Sequence, residues 1–483
     1  MTYLRRAALA CRVVVFVLLG AVCADAQSTV PQSTIPQTPA GTQFAGWLAA
    51  FNGGDPAAYK AFVEKNWPAG VKFLAEDKRF RETTGGFDLR KVDPSSTPAK
   101  FVALVQERNS DQLAQVILTV EAAEPHHIAE LLLRAVPRPA EFALPHLSMD
   151  DLVAALRAKL QRDSAADRFA GAVLVAQDGK PVFAQAYGLA DIAHKIPNTL
   201  QTRFRIGSMN KMFTAVAVLQ LGQAGKLRLD ASLGTYLPDY PNKDVAAKVT
   251  IHELLTHTGG TGDIFGPQFE AHRLELRTLD DYVRTYGQRG LSFEPGSRWA
   301  YSNYGFILLG AVIHKVSGQS YYDYVREHVY APAGMTSTGS EPESTAVPNR
   351  SIGYMTDEAG NLKPNTDTLP YRGTSAGGGY STVEDLLRFA NALHDHKLLD
   401  ANYTELLTTG KVDMPGGRRY AYGFGDEMVN GTRCVGHNGG APGMSGDLAI
   451  CAGGRYVVAV LANRDPDAAD KISGFVTNRL PLK

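Results

Sequence analysis

From Met212 to Leu219 the chain reads Met-Phe-Thr-Ala-Val-Ala-Val-Leu, apolar at all but one position. A helix of that composition is buried nearly all round. The polar segment Ser208-Met209-Asn210-Lys211 opens it, which puts Ser208 at the first turn, where backbone amides favour developing negative charge. Lys211, three residues on, returns to the same face. A lysine acts as a base only if burial or a neighbouring cation depresses its pKa of about 10.4, and the apolar helix supplies the burial. An isolated Ser-x-x-Lys reads first as an ordinary N-cap serine with a snorkelling lysine, so the pair needs support from elsewhere in the chain.

With 483 residues the chain exceeds one ordinary core and is expected to hold two domains after processing. Arg5-Arg6, the apolar run within Val13 to Val22, and Ala24-Asp25-Ala26 follow the charged, apolar, small-residue order of a secretory signal peptide, cleaved after Ala26. The apolar run is shorter than the roughly 20 residues of a spanning helix. Bulky Val22 before Cys23 disfavours a lipoprotein site. The mature protein is thus expected to be periplasmic or secreted, with no stable membrane span. Lys plus Arg (49) equals Asp plus Glu (49), so no global field draws nucleic acid or an acidic membrane.

Residues 27–41 are rich in Pro, Ser, Thr and Gln and read as a flexible linker. Residues 42–139 read as a small α+β domain: Phe44, Trp47, Leu48 and Phe51 recur at helical spacing, and three strand-like runs follow at Lys100–Gln106, Gln115–Glu121 and Ile128–Val136. Helices followed by an antiparallel sheet resemble nuclear-transport-factor-2-like (NTF2-like) domains; the plainer reading is a packing module. His126-His127 beside Pro125 reads as a solvated turn.

Residues 140–483 form the second domain. Met149–Leu160 is helical in period, and two strands meet around Asp178-Gly179. Strands near 431–437, 446–452 and 455–462 and a helix at Asp467–Arg479 close the chain. Strands at both ends with helices between predict an α+β fold: one antiparallel sheet sandwiched by helices, with an inserted helical subdomain.

Two further motifs join Ser208. Tyr301-Ser302-Asn303 follows the Glu294-Pro295-Gly296 turn and precedes an apolar helix, Phe306–Val316, that Ser302 or Asn303 can cap. It offers a phenol to shuttle protons and a carboxamide to hold substrate carbonyls. His437-Asn438-Gly439 lies between two strands. In this order the three motifs resemble the active-site signature of the serine β-lactamase and penicillin-binding-protein superfamily, and Tyr-x-Asn is similar to its class C branch of D,D-peptidases and carboxylesterases. The resemblance spans about residues 145–483 and takes in Leu254-Leu255-Thr256-His257-Thr258-Gly259-Gly260 and Gly377-Gly378-Gly379-Tyr380-Ser381.

It implies that Ser208 is acylated, that Lys211 and Tyr301 transfer protons, and that Asn303 clamps substrate. Backbone amides of Ser208 and Gly440 would form the oxyanion hole, with no metal or cofactor. The third motif departs from the lactamase Lys-Thr-Gly. A fixed charge becomes an imidazole expected to titrate between about pH 5 and 8, Asn438 replaces a hydroxyl, and Gly439 still lets the strand approach a substrate. An ester or amide hydrolase of carboxylesterase or D-amino-acid-peptidase type, acting on a small molecule or peptide, is therefore expected, with weak or no β-lactamase activity. A true β-lactamase and a catalytically silent protein or sensor that binds cell-wall fragments or a partner are the alternatives.

His252-Glu253-Leu254-Leu255-Thr256-His257 imitates a zinc motif, but histidines five apart lie about 140° round a helix. No Gly-x-Ser-x-Gly elbow occurs. If the strands carrying Cys434 and Cys451 are antiparallel neighbours joined symmetrically through Gly440–Ser445, the two cysteines stand opposite one another and can be bridged.

Overall fold

The structure, a computed structural model, describes residues 34–357, 360–414 and 417–482. The expected signal peptide and the first part of the linker lie outside them. The remainder of that linker is partly helical: α1 (Pro39–Gly53) begins with Pro in its first turn and is capped by Thr38, whose side chain accepts from the Gly41 amide. Its apolar stripe, Ala40, Phe44, Trp47 and Phe51, is buried. Helices α2 (Pro56–Asn66) and α3 (Leu74–Thr84) follow. Strands β1 (Phe87–Val92), β2 (Lys100–Glu107), β3 (Leu113–Val120) and β4 (Ile128–Val136) form a meander with Phe101 stacked on Phe44 at 4.3 Å.

This unit touches the rest of the chain through the β2–β3 turn. Asp111 receives both Arg479 guanidinium nitrogens at 2.6 and 2.9 Å, and Lys159 Nζ donates to the Asn109 carbonyl at 3.3 Å.

The larger region opens with α4 (Met149–Ala165), β5 (Gly171–Gln177) and β6 (Lys180–Tyr187). The apolar helix is α5 (Asn210–Gln223), followed by α6 (Asn303–Ser317) and α7 (Val383–His394). Strands β7 (Val412–Asp413), β8 (Arg419–Tyr420), β9 (Gly425–Val429), β10 (Thr432–Ala441), β11 (Met444–Cys451) and β12 (Tyr456–Ala462) lead to α8 (Ala468–Thr477). They make one eight-stranded antiparallel sheet in the order β7-β8-β9-β10-β11-β12-β5-β6.

Alternation along the strands divides the core. Leu174, Ala459 and Leu448 meet α5 and α7 on one face, while Val175, Val458 and Val460 meet α4 and α8 on the other. The segment between β6 and β7 carries most of the helices, α5 to α7 included, so an antiparallel sheet between helical layers with an inserted helical region is the observed architecture.

The observed β10–β11 register pairs Cys434 with Cys451, His437 with Leu448 and Gly439 with Gly446. The expected loop at Gly440–Ser445 is mostly strand: β10 runs on to Ala441 and turns at Pro442-Gly443, where Gly443 has φ 73°. Glycine clusters suggest a loop, but these glycines are strand residues against crowded backbone. A Cβ at Gly436 would lie 1.8 Å from the Leu448 carbonyl, and one at Gly439 2.0 Å from that of Ile206.

Candidate active site

Ser208 sits in a single turn of 3-10 helix, Gly207–Met209, just before α5. Gly207 has φ 52°, and a Cβ there would lie 3.0 Å from the Gly440 amide nitrogen. The serine turn and β10 therefore meet glycine on glycine, which brings the end of β10 beside Ser208.

Lys211, one turn on, is fully buried. Its Nζ donates to Ser208 Oγ at 3.1 Å, to Asn303 Oδ1 at 2.8 Å and to the Ala376 carbonyl. Burial pulls its pKa down to about 7, against the opposing pull of Asp263. A substantial fraction is then free amine at neutral pH, with Ser208 Oγ as a hydrogen-bond partner. Tyr301 places its ring 4.6 Å from Lys211 Nζ and its hydroxyl on Ser208. Burial pushes this phenol well above its usual range, so it stays protonated and serves as a proton donor and carrier.

Asn303 opens α6, which Ser302 caps by accepting from the Gly305 amide at 2.9 Å. Asp263 accepts from the Asn303 backbone amide at 3.0 Å and from Nδ2 at 3.2 Å, which turns Oδ1 toward Lys211. The expected substrate clamp thus holds the lysine. Ser208, Tyr301, His437, Gly439 and Gly440 line a cleft of about 480 Å³. Asn438 also lines the cleft beside Ser208, while its side-chain amide donates to Asp470 Oδ1 at 2.8 Å.

One expectation is overturned. His437 was to change charge between about pH 5 and 8, but it is 9% exposed, and burial together with Lys211 pulls its pKa down to about 3. It is neutral through that range. Tyr420, whose hydroxyl lies 3.0 Å from His437 Nε2, also lies 3.1 Å from His257 Nε2. The two histidines of the zinc-like motif go separate ways, His252 to Tyr422 and His257 to Tyr420.

No motif or spacing singles out Asp263 or Tyr420. His257 lay inside the Leu254–Gly260 segment without a role, and its φ of 60° marks it as specially placed. A hydroxyl beside a partly neutral amine, a protonated phenol and backbone amides at a helix start is equipment for acyl transfer.

Comparison with known proteins agrees. Residues 149–480 match the Beta-lactamase family. Esterase EstB of Burkholderia gladioli is 36% identical over 227 residues, which cover 44% of this chain and 57% of that one. Among solved structures, a penicillin-binding protein from Bacillus halodurans is 34% identical with a TM-score of 0.60, the match covering 66% of this chain and 98% of that one. A D-stereospecific amidohydrolase from Streptomyces sp. is 27% identical with a TM-score of 0.58, covering 68% and 98%. With the family match running from the first turn of α4 to beyond α8, this chain belongs to the Beta-lactamase family and is a serine hydrolase.

Proposed function

We propose that this chain is an exported hydrolase that cleaves an ester or amide through an acyl-enzyme on Ser208, with weak or no turnover of β-lactams. The Lys211–Ser208 contact of 3.1 Å, made by an amine whose pKa burial lowers to about 7, carries the reading. Lys211 takes the Ser208 proton as Oγ attacks the carbonyl carbon. The oxyanion faces the amides of Ser208 and Gly440. Tyr301 hands its proton to the departing alkoxide or amine as it recovers the one that Lys211 took from Ser208, and water then enters by the reverse route.

Esterase and D-amidohydrolase relatives support the ester-or-amide assignment, and the neutral His437 in place of a fixed cation supports poor β-lactam turnover. Export rests on the N-terminal Arg5-Arg6, apolar run and Ala24-Asp25-Ala26 order. Among the described residues no helix is long and apolar enough to cross a membrane. Residues 42–139 are read as a separate packing module.

Labelling by a fluorescent active-site-serine probe, lost in Ser208→Ala, tests the nucleophile. A panel of short esters, D-amino-acid amides and β-lactams then ranks substrates. Full labelling of Ser208→Ala would overturn the assignment.

A further inference from the structure

The hydrogen bonds running from Ser302 to Asn438 leave one consistent set of protons. The Ser302 backbone N–H donates to His257 Nδ1 at 3.1 Å, so that nitrogen carries the lone pair. His257, 1% exposed and held neutral by burial, therefore has its proton on Nε2, which points at the Tyr420 hydroxyl 3.1 Å away. At the other end His437 Nδ1 meets the Asn438 carbonyl, which only accepts, so Nδ1 carries the proton and Nε2 the lone pair. The Tyr420 hydroxyl accepts from His257 and donates to His437 Nε2 at 3.0 Å. The directions derived from the two ends agree at Tyr420.

Both ring nitrogens of His437 are consequently occupied by the protein. The described residues lining the cleft around Ser208 include no Lys or Arg, but they do include Asp465, whose carboxylate accepts from the Gly443 and Thr356 amides. Arg418 and Arg419 line the adjoining groove, which shares Tyr301 and His437 with the cleft, but neither lines the cleft around Ser208; both are exposed, and Arg419 pairs with Asp413 at 3.5 Å.

We infer that Tyr420, aimed by His257, sets the charge preference of the site: with Tyr420 on Nε2 and the Asn438 carbonyl on Nδ1, the His437 imidazole has no donor left for a substrate carboxylate, so uncharged esters and amides are taken in preference to those carrying a carboxylate on the leaving group. This deepens the acyl-enzyme reading and rests on it. Tyr420 and His257 are positioning residues, acting on substrate only through the proton they fix on His437.

The test compares methyl 3-acetoxybenzoate with 3-acetoxybenzoate, two acetate esters whose leaving groups differ by a carboxylate, each rate divided by its own hydroxide-catalysed rate. The wild-type protein is expected to favour the methyl ester in kcat/KM by at least about tenfold, the scale of a missing hydrogen bond to a charged group. Tyr420→Phe removes the hydroxyl that donates to Nε2 of His437, so that nitrogen can itself take up a proton and present an N–H to a carboxylate; the preference should narrow by about tenfold, mainly through KM for the anionic ester. His257→Leu, which removes the donor that aims the Tyr420 proton, provides a second variant with a smaller narrowing. Nitrogen-15 spectra of histidine-labelled wild-type protein should show neutral His257 protonated on Nε2 and neutral His437 protonated on Nδ1.

Equal wild-type rates on the two esters, an unchanged preference in a folded Tyr420→Phe protein, or the opposite tautomers would each overturn the inference. Acyl-enzyme mass on Ser208 is measured in the same samples. Its absence from wild type would overturn the acyl-enzyme reading instead, while the tautomers still decide whether His437 is locked.

Discussion

Nζ of Lys211 lies 3.1 Å from Oγ of Ser208, and Asn303 Oδ1 fixes that amine at 2.8 Å while Asp263 fixes Asn303. The Asp263 carboxylate favours the ammonium form of Lys211, and burial favours the free amine. Because the free amine is the base, kcat/KM should rise with pH through about 7, the value to which burial lowers Lys211. Asp263→Asn removes the stabilising anion but keeps an acceptor for Asn303, so the acidic limb should move to lower pH. A pH profile of kcat/KM with a neutral ester checks it; an unmoved limb in the variant would show that Asp263 does not govern Lys211.

Tyr301→Phe should lower kcat by roughly 100-fold or more, the usual size of a lost proton donor, with a small change in Tm. Since burial keeps the phenol protonated above its ordinary range, wild-type activity should show no loss assignable to Tyr301 below pH 10. A basic limb below that value which vanishes in Tyr301→Phe would mean that the phenolate participates.

His437→Gln separates structure from titration. Glutamine can still accept from Tyr420, and the wild-type imidazole is already neutral from pH 5 to 8 because burial lowers its pKa to about 3. The variant should change kcat/KM yet keep the midpoint of the acidic limb. A midpoint that moves with this substitution would restore a titrating role to His437.

The local elements of the site were legible because each rests on residues close in sequence. Ser208 and Lys211 share a helix face, Ser302 caps α6, and the apolar run of α5 is buried all round. What eluded the sequence depends on long-range pairing. Asp263 reaches Asn303 across forty residues, and Tyr420 joins His257 to His437 from a two-residue strand too short to show a period. The strand limits failed at Gly439 and Gly440 for a related reason: their lack of side chains answers to Ile206, Ser208 and Pro466, which the local sequence does not reveal. The charge state of His437 was misjudged because burial is a tertiary property.

On the opposite face of β10 and β11, Asp447 is desolvated, with Asp470 adding repulsion, and its pKa is raised well above the usual carboxylate range. A raised folded-state pKa means that the native protein holds a proton the unfolded chain releases near pH 4. Its contribution is fully present below that pH and is lost as pH rises toward the folded value. Asp447→Asn, which keeps an acceptor for Ser473, should therefore raise Tm at pH 7 to 8, with the gain shrinking toward pH 4. Urea unfolding of both proteins across this range checks the sign, and a variant less stable than wild type at pH 8 would contradict it.

Cys434 and Cys451 stand opposite each other on β10 and β11 with Cα atoms 4.1 Å apart and sulfurs at bonding distance. In an oxidising compartment such a pair persists as a disulfide. With a sequence separation of 17, the closed loop holds His437 and Gly440, and a chain-entropy estimate makes the bridge worth about 3 kcal/mol. Both cysteines are buried, so the double substitution Cys434→Ala and Cys451→Ala should lower the urea midpoint by a corresponding amount, whereas reducing agent should leave that double variant unaffected. Because β10 also carries Gly440 to Ser208, the loss should reach activity at temperatures where the hairpin loosens, before global unfolding. Mass analysis of unreduced, thiol-blocked protein recovered from outside the cytoplasm decides the matter: two alkylated cysteines would leave β10 held by backbone pairing and packing alone.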